Sequence, residues 1–379
     1  MKIESKQITL EDLDEYSKVS IETISDVIPH PNADRLTIYK VEGMDYQFIS
    51  NVPYKVGDKV VFFPIDSIFP PELIEFYELG TMLAGSGHNR VKTVRLRGEY
   101  SQGFIASEES LNQYLLKQDM ENPVTLDYIR NLPFVEETQQ LGQILKVLKY
   151  DPLRETHKGV KVLPEHLLPL PAGNGKYDID NMQSNKGRVQ EFINEQIPVL
   201  ITEKLEGQNF SVTFFNGEVF VSQRRFGVKD EPGNTLWETA RRLDLLSMVS
   251  NIAKLLDSQN VTIYGELIGP GVQGNYYNLK EREVKIFDIK IDGKWTSAIE
   301  MLSIVPEQLQ VPIIAKNIQL DEWLDGKSPT EAAYGKSALN GKLREGIVVR
   351  PLHEEIYQVR GGRLYLKQRC PKYLDKTGN

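Results

Sequence analysis

The chain has 379 residues, 40% of them hydrophobic and 26% charged, with a formal net charge of -8. That balance excludes fibrous and disordered classes, and the length asks for two domains. The acidic total argues against a uniformly basic nucleic-acid binder while leaving room for a local basic groove, and the single cysteine, Cys370, excludes a disulfide framework or a four-cysteine zinc site.

Residues 1–10 carry no apolar signal core and no later run approaches transmembrane length, so a cytoplasmic protein without a membrane partner is expected. Short β-rich runs come next: Thr37-Ile38-Tyr39-Lys40-Val41, Gln47-Phe48-Ile49 and Lys59-Val60-Val61-Phe62-Phe63. Turn residues such as Val56-Gly57-Asp58 and Pro70-Pro71 separate them, the pattern of a small all-β barrel. Lys92-Thr93-Val94-Arg95-Leu96-Arg97 alternates as a half-buried strand would, with Lys92, Val94 and Leu96 on one face and Arg95 and Arg97 on the other. Arg90, Lys92, Arg95 and Arg97, with Tyr100 nearby, form a candidate nucleic-acid face; a solvated strand face is the competing reading. His30 and His88 lack metal-ligand spacing and read as turn residues. Residues 111–151 suggest short helices. Residues 152–175, rich in proline, glycine and charge, place a domain boundary, giving domains 1–160 and 161–379.

The second half reads as α+β. Strands are expected at 198–204, 210–215 and 219–224, the last two joined by the hairpin signal Asn216-Gly217. Thr235-Leu236-Trp237-Glu238 has the form of a capping box opening one amphipathic helix, with Leu236, Ala240, Leu243, Leu246, Val249 and Ile252 along one face. Further strands are expected at 261–265, 347–350 and 364–367, with a hairpin over 284–295 turning at Asp292-Gly293. The predicted fold is thus an all-β barrel followed by an α+β domain of antiparallel sheets with flanking helices.

Four segments carry chemistry. Thr202-Glu203-Lys204-Leu205-Glu206-Gly207 ends a strand with a lysine flanked by acids; Tyr264-Gly265-Glu266-Leu267, Glu345-Gly346-Ile347-Val348-Val349-Arg350 and Leu366-Lys367-Gln368-Arg369 follow in order. A lysine nucleophile must be neutral, and lowering its pKa from about 10.4 by roughly three units costs about 4 kcal/mol. Carboxylates such as Glu203 and Glu206 oppose that unless a divalent cation reverses the local field, which is a physical reason to expect Mg²⁺ or Mn²⁺. Attack on an α-phosphate needs cations around the developing charge, and Lys367, Arg369 and Arg224 are the candidates. Glu266, at the inner end of an apolar strand, requires pairing or coordination; Glu345 offers a hard oxygen ligand; Phe287 offers a flat surface for a base.

In this order, Lys204-Leu205-Glu206-Gly207, Arg224, Gly265-Glu266-Leu267, Phe287-Asp288, Glu345-Gly346-Ile347-Val348 and Lys367-Gln368-Arg369 resemble motifs I, Ia, III, IIIa, IV and V of the polynucleotide ligase and capping-enzyme superfamily. Within it they are most similar to the RNA ligase 2-like branch, which Asn209 also fits. The resemblance implies that Lys204 is adenylated by ATP and that Glu203, Asn209, Arg224, Glu266, Phe287, Lys367 and Arg369 surround the nucleotide. It further implies that Glu345, with Glu266, holds Mg²⁺ or Mn²⁺. Motif Ia reads Gln223-Arg224 where Ser-Arg is usual, with Arg225 adjacent. Glu206 stands where Asp or His is common, and Arg369 where lysine is frequent.

Upstream, His30-Pro31-Asn32-Ala33-Asp34-Arg35-Leu36, Val56-Gly57-Asp58 and Gln102-Gly103-Phe104-Ile105-Ala106-Ser107 resemble the OB-fold of the tRNA-binding-domain group. The combination resembles the Deinococcus-type nick-sealing RNA ligase family over residues 21–374. The short stretch after motif V leaves no room for the C-terminal OB domain of DNA ligases and capping enzymes, in keeping with that branch. The resemblance implies an enzyme sealing 3′-OH/5′-phosphate nicks in RNA duplexes or RNA–DNA hybrids, and a monomer is expected. A DNA ligase, a GTP-using capping enzyme and a non-catalytic RNA-binding protein with a relic pocket are the alternatives.

Overall fold

The computed structural model describes residues 15–118, 141–151, 164–171, 174, 176–358 and 362–377. The chain divides into two compact units, residues 9–161 and residues 162–379 with 1–8. Residues 152–163 of the predicted boundary and 119–140 of the predicted helical stretch lie outside the described residues.

The first unit contains β1 (Ser20–Pro29), β2 (Thr37–Val41), β3 (Gln47–Ser50), β4 (Lys59–Phe63), β5 (Ser67–Ile68), β6 (Thr93–Leu96), β7 (Glu99–Gln102), β8 (Phe104–Ser107) and β9 (Leu148–Lys149). The main sheet runs β3-β2-β1-β4-β8, all antiparallel. β4 is buried on both faces, and strand alternation divides it between two clusters. Val60 and Phe62 pack inside the curl with Ile24, Tyr39, Phe48 and Ile105. Val61 and Phe63 pack outside with Leu73, Leu111 and Leu115, the last two on the helix Glu108–Gln118. The β6–β7 hairpin closes over β3: Gln47 Nε2 donates to the Tyr100 carbonyl at 2.8 Å and the Ile49 amide to Ser101 Oγ at 3.0 Å. His30 is buried, not a loose turn residue. Its Nδ1 accepts from the Asn32 amide at 3.1 Å, leaving Nε2–H to donate to the Leu96 carbonyl at 3.0 Å, which latches the hairpin to the end of β1.

The second unit contains β10 (Leu167–Leu168), β11 (Asp180–Asn181), β12 (Pro198–Lys204), β13 (Gln208–Phe215), β14 (Glu218–Gln223), β15 (Gly227–Val228), β16 (Asn260–Ile268), β17 (Glu283–Ile291), β18 (Lys294–Trp295), β19 (Ile313–Gln319), β20 (Gly346–Pro351) and β21 (Leu366–Arg369). A seven-stranded antiparallel sheet runs β10-β15-β14-β13-β16-β17-β18, and a five-stranded sheet runs β11-β21-β20-β12-β19. The second sheet departs from the expected pattern in one pair, β11 with β21, which is parallel. Both predicted hairpin turns form, with positive φ at Asn216 and Gly217 and at Asp292 and Gly293.

The single predicted amphipathic helix is instead two helices, Thr235–Arg242 and Leu245–Leu255. Asp244, in the left-handed region at φ 55°, breaks it. Breaking there lets each half bury its own side chains, Trp237 and Ala240 in the first, Leu245, Val249 and Ile252 in the second. The N-cap is Asn234 and not Thr235, because its side chain accepts from the amides of Leu236 and Trp237.

Candidate active site

Sheet register gathers what the chain separates. Lys204 lies opposite Gly346, and Thr202 opposite Val348. Val348 in turn lies opposite Lys367, and Gly346 opposite Arg369. Alternation then turns Thr202, Lys204, Val348 and Lys367 to one face. The other sheet supplies Asn209, opposite Glu266 in its ladder, with Arg224 just past β14 and Phe287 on β17. These side chains line one cavity of about 240 Å³. Two motif glycines permit the close approach. A Cβ on Gly207 would sit 2.5 Å from the Leu267 carbonyl oxygen, and one on Gly346 2.1 Å from that of Gln368.

Lys204 Nζ is 2.5 Å from Glu345 Oε1, a carboxylate almost closed to solvent. Glu206 shares a hydrogen bond with Glu345, and burial followed by that neighbour's charge pushes its carboxyl up. Glu266 is pushed up to about 8, chiefly by burial and against the pull of Lys204. Lys367 is pushed down to about 8, again by burial first, although Asp178 opposes the shift. Leu205, Val311, Phe287 and Val348 give the cavity apolar walls, while Lys204, Lys367 and Arg224 give it cationic ones. A flat apolar ring carrying an anionic group matches both parts.

Residues 197–368 match the RNA ligase family, and residues 18–107 match an OB-fold domain. This chain carries an RNA ligase domain behind an OB-fold domain. Its fold is that of Naegleria gruberi RNA ligase. One form of that protein, with ATP and Mn, has a TM-score of 0.71 at 23% identity, covering 96% of this chain and 100% of that one. The form with PPi has a TM-score of 0.69 at 22% identity, covering 95% and 98%. An apo form has a TM-score of 0.71 at 23% identity, covering 96% and 98%. A search of curated protein sequences finds no match.

Within the RNA ligase domain, the motif residues Lys204, Asn209, Arg224, Glu266, Phe287 and Lys367 meet in the cavity, and Glu345 reaches it through Lys204. Arg369 is near enough to Lys367 to help depress its pKa. Glu203 also borders the cavity, but its carboxylate is engaged elsewhere. One residue from Lys204 on the strand, its side chain turns to the opposite face, where Oε2 accepts from the Ala338 amide at 3.0 Å. Burial raises its pKa, and its Oε1 is buried without a hydrogen-bond partner among the described residues. Glu203 therefore ties down the loop 337–344 and does not face the nucleophile. Among the described residues no group of three or more His, Cys, Asp or Glu is arranged to hold a metal ion.

In the OB-fold domain the expected basic face is corrected in two ways. Arg90 donates from Nη2 and Nε to Asp66 Oδ1, at 2.7 and 2.9 Å, and its guanidinium lies 3.3 Å from the centroid of the Tyr150 ring. It is a structural pair, because both charge and plane are already engaged. The strand expected at 92–97 is shorter, and its Thr93, Val94 and Arg95 are all exposed. Arg97 leaves it to form a turn with Gly98, with φ at 50° and 99°. Lys92, Arg95 and Arg97 remain exposed, Arg95 lying 4.9 Å from the Tyr100 ring centroid.

Sequence reasoning missed residues 176–181 altogether. Asp178 enters the cavity and pairs with Arg224 at 2.7 Å and Lys367 at 3.3 Å. Beside it, the half-buried Tyr177 has its ring centroid 5.1 Å from that of Phe287 and donates to Asp288 Oδ2 at 2.9 Å. Asp288 is fully buried and also binds Arg350 at 3.2 Å and Arg363 at 2.6 Å. Arg350 Nη1 donates to the Phe287 carbonyl at 3.2 Å, so this network holds the aromatic wall. The only sequence signals were the buried acid after Phe287 and the arginine closing the Glu345 motif.

Proposed function

We propose that this enzyme is an ATP-dependent RNA ligase that seals 3′-OH/5′-phosphate nicks in duplex RNA or RNA–DNA hybrids through a lysyl–AMP intermediate. The observation that carries the reading is the convergence of Lys204 with Glu345, Glu266 and Lys367, four motif residues scattered along the chain, around one cavity. The Naegleria gruberi RNA ligase with ATP and Mn, and with PPi, supports the choice of nucleotide.

Lys204 Nζ attacks the α-phosphorus of ATP; an N–P bond forms and the bond to pyrophosphate breaks. The AMP then moves to the 5′-phosphate of the nick, releasing the lysine, and the 3′-OH attacks that phosphate and expels AMP. Splitting one substitution this way lets a neutral amine carry the nucleotide between two acceptors. Lys367, Arg369 and Arg224 oppose the charge that grows on the phosphate, while Phe287 and Val348 seat the base. Glu266 sits across the ladder from Asn209, within the nucleotide site. Mg²⁺ or Mn²⁺ would be held by the hard oxygens of Glu345 and Glu266, both close to Lys204, and burial raises the Glu266 carboxyl. Such ions commonly take one or two carboxylates plus water and phosphate, so a closed cage is not required. A bound ion would neutralise phosphate charge and offset the field of the carboxylates at Lys204.

Lys92, Arg95 and Arg97 on the OB-fold hairpin supply backbone contacts to the duplex. No helix among the described residues is long and apolar enough to cross a membrane. A monomeric, cytoplasmic enzyme is part of the same reading. The test is incubation of the protein with α-labelled ATP or GTP and a divalent cation, followed by nicked duplexes with RNA or DNA on each side. A labelled protein–AMP band from ATP alone, absent in Lys204→Ala, and sealing of the RNA nick are expected. A band that persists in Lys204→Ala would place the nucleophile elsewhere, and labelling by GTP would favour a capping enzyme.

A further inference from the structure

The segment 176–181 is held at both ends. The Tyr177 hydroxyl is fastened to Asp288, and β11 pairs with β21, Asn181 lying opposite Lys367. Between these anchors Asp178 places its carboxylate against Arg224 and Lys367, with Lys176 Nζ at 3.8 Å. Arg224 Nε also reaches the Tyr177 carbonyl at 3.4 Å. Two of the three cations assigned to the nucleotide's phosphate, Arg224 and Lys367, thus already hold an anion supplied by the protein. The cavity left over, about 240 Å³, is smaller than the roughly 300–1,000 Å³ usual for ligand pockets.

We propose that Asp178 is an affinity-determining residue of the nucleotide site: a tethered carboxylate that competes with the nucleotide's phosphate for Arg224 and Lys367. The proposal rests on the reading that this cavity takes ATP. Phosphate and carboxylate cannot both sit between the same two cations, since like charges at that distance repel. Binding of ATP therefore swings the Asp178 side chain aside. The anchors keep its charge nearby, so the competition persists and re-pairing with Arg224 and Lys367 accompanies departure of AMP. The protein gives up nucleotide affinity and gains release of product.

Calorimetry with three probes tests this on the full chain: α,β-methylene-ATP, which cannot transfer AMP, then AMP, and adenosine. Asp178→Asn should bind α,β-methylene-ATP and AMP about fivefold more tightly, the scale of one partly exposed ion pair. Adenosine, which lacks the phosphate, should bind as it does to the unaltered protein, and Asp178→Glu should stay close to the original affinities. Unchanged or weaker binding of the two phosphorylated probes would overturn the proposal and make Asp178 a residue that positions the cations. An equal change for adenosine would also overturn it, because competition for phosphate cannot act on a nucleoside. These outcomes are separate from the ATP-labelling test, whose failure would instead remove the lysyl–AMP reading.

Discussion

In the OB-fold unit, cations that are neighbours in the chain end in different situations. Arg90 is locked to Asp66 and Tyr150, Arg95 lies exposed on β6, and Arg97 stands in a turn. In the ligase unit the reverse holds, since Lys204, Arg224 and Lys367 come from separate strands or strand ends and meet at one cavity. The difference lies in what fixes position. Ladder pairing between β12, β20 and β21 sets Lys204 and Lys367 to a common face, and the seven-stranded sheet brings Arg224 to the same cavity, whereas a short hairpin fans its residues outward. A run of like charge in the chain is thus a weaker sign of a site than single charges that register brings together.

The largest test of that contrast is at the converged site. Glu345→Ala should lower ligation by about 10²–10³, the scale of losing one electrostatic stabiliser, while the thermal melt stays cooperative. Ligation at the unaltered rate by a folded variant would remove Glu345 from the metal site.

Next is the network behind the cavity. Asp288→Ala removes the fully buried carboxylate that Arg350 and Arg363 share, leaving them only Glu354, and breaking a buried pair costs up to about 3–5 kcal/mol. Urea unfolding followed by tryptophan fluorescence should place the ligase-unit transition at markedly lower denaturant. An unchanged midpoint would mean that the network does not stabilise the unit.

The OB-fold cations should then separate into two behaviours. Arg90→Ala should cost about 1 kcal/mol of stability without changing RNA affinity. The double variant Arg95→Ala/Arg97→Ala should leave stability alone, weaken duplex binding and reduce the slope of log affinity against log salt by up to about two. Equal effects of both on RNA binding would restore the four residues as one face.

The smallest effect concerns Lys367, whose folded pKa of about 8 lies below the ordinary lysine value because of burial. Between that pH and the ordinary value the unfolded chain binds more protons, so stability should rise with pH across the window. Nucleotide affinity should fall over the same window as the positive charge is lost. Lys367→Arg stays charged and should lose both trends. Parallel pH profiles for the two proteins, by melting and by nucleotide binding, would contradict this.

The sequence by itself determined the strands that carry Lys204 and Glu345, the two hairpin turns, the motif order and the OB-like start. Each is written locally, in β-branched runs, Asn-Gly and Asp-Gly turns, and glycines that allow close approach. Strand alternation could even have predicted that Glu203 turns away from Lys204, had the parity from the nucleophile been counted. Only the tertiary structure decided that Arg90 is bound to Asp66 and that Asp244 splits the helix so each half can bury its own face. Only the tertiary structure, too, carried Asp178 from the stretch just before the ligase strands into the cationic pocket. An ion pair across the fold leaves no periodicity in the chain, because its energy depends on distance in space and not on spacing in sequence.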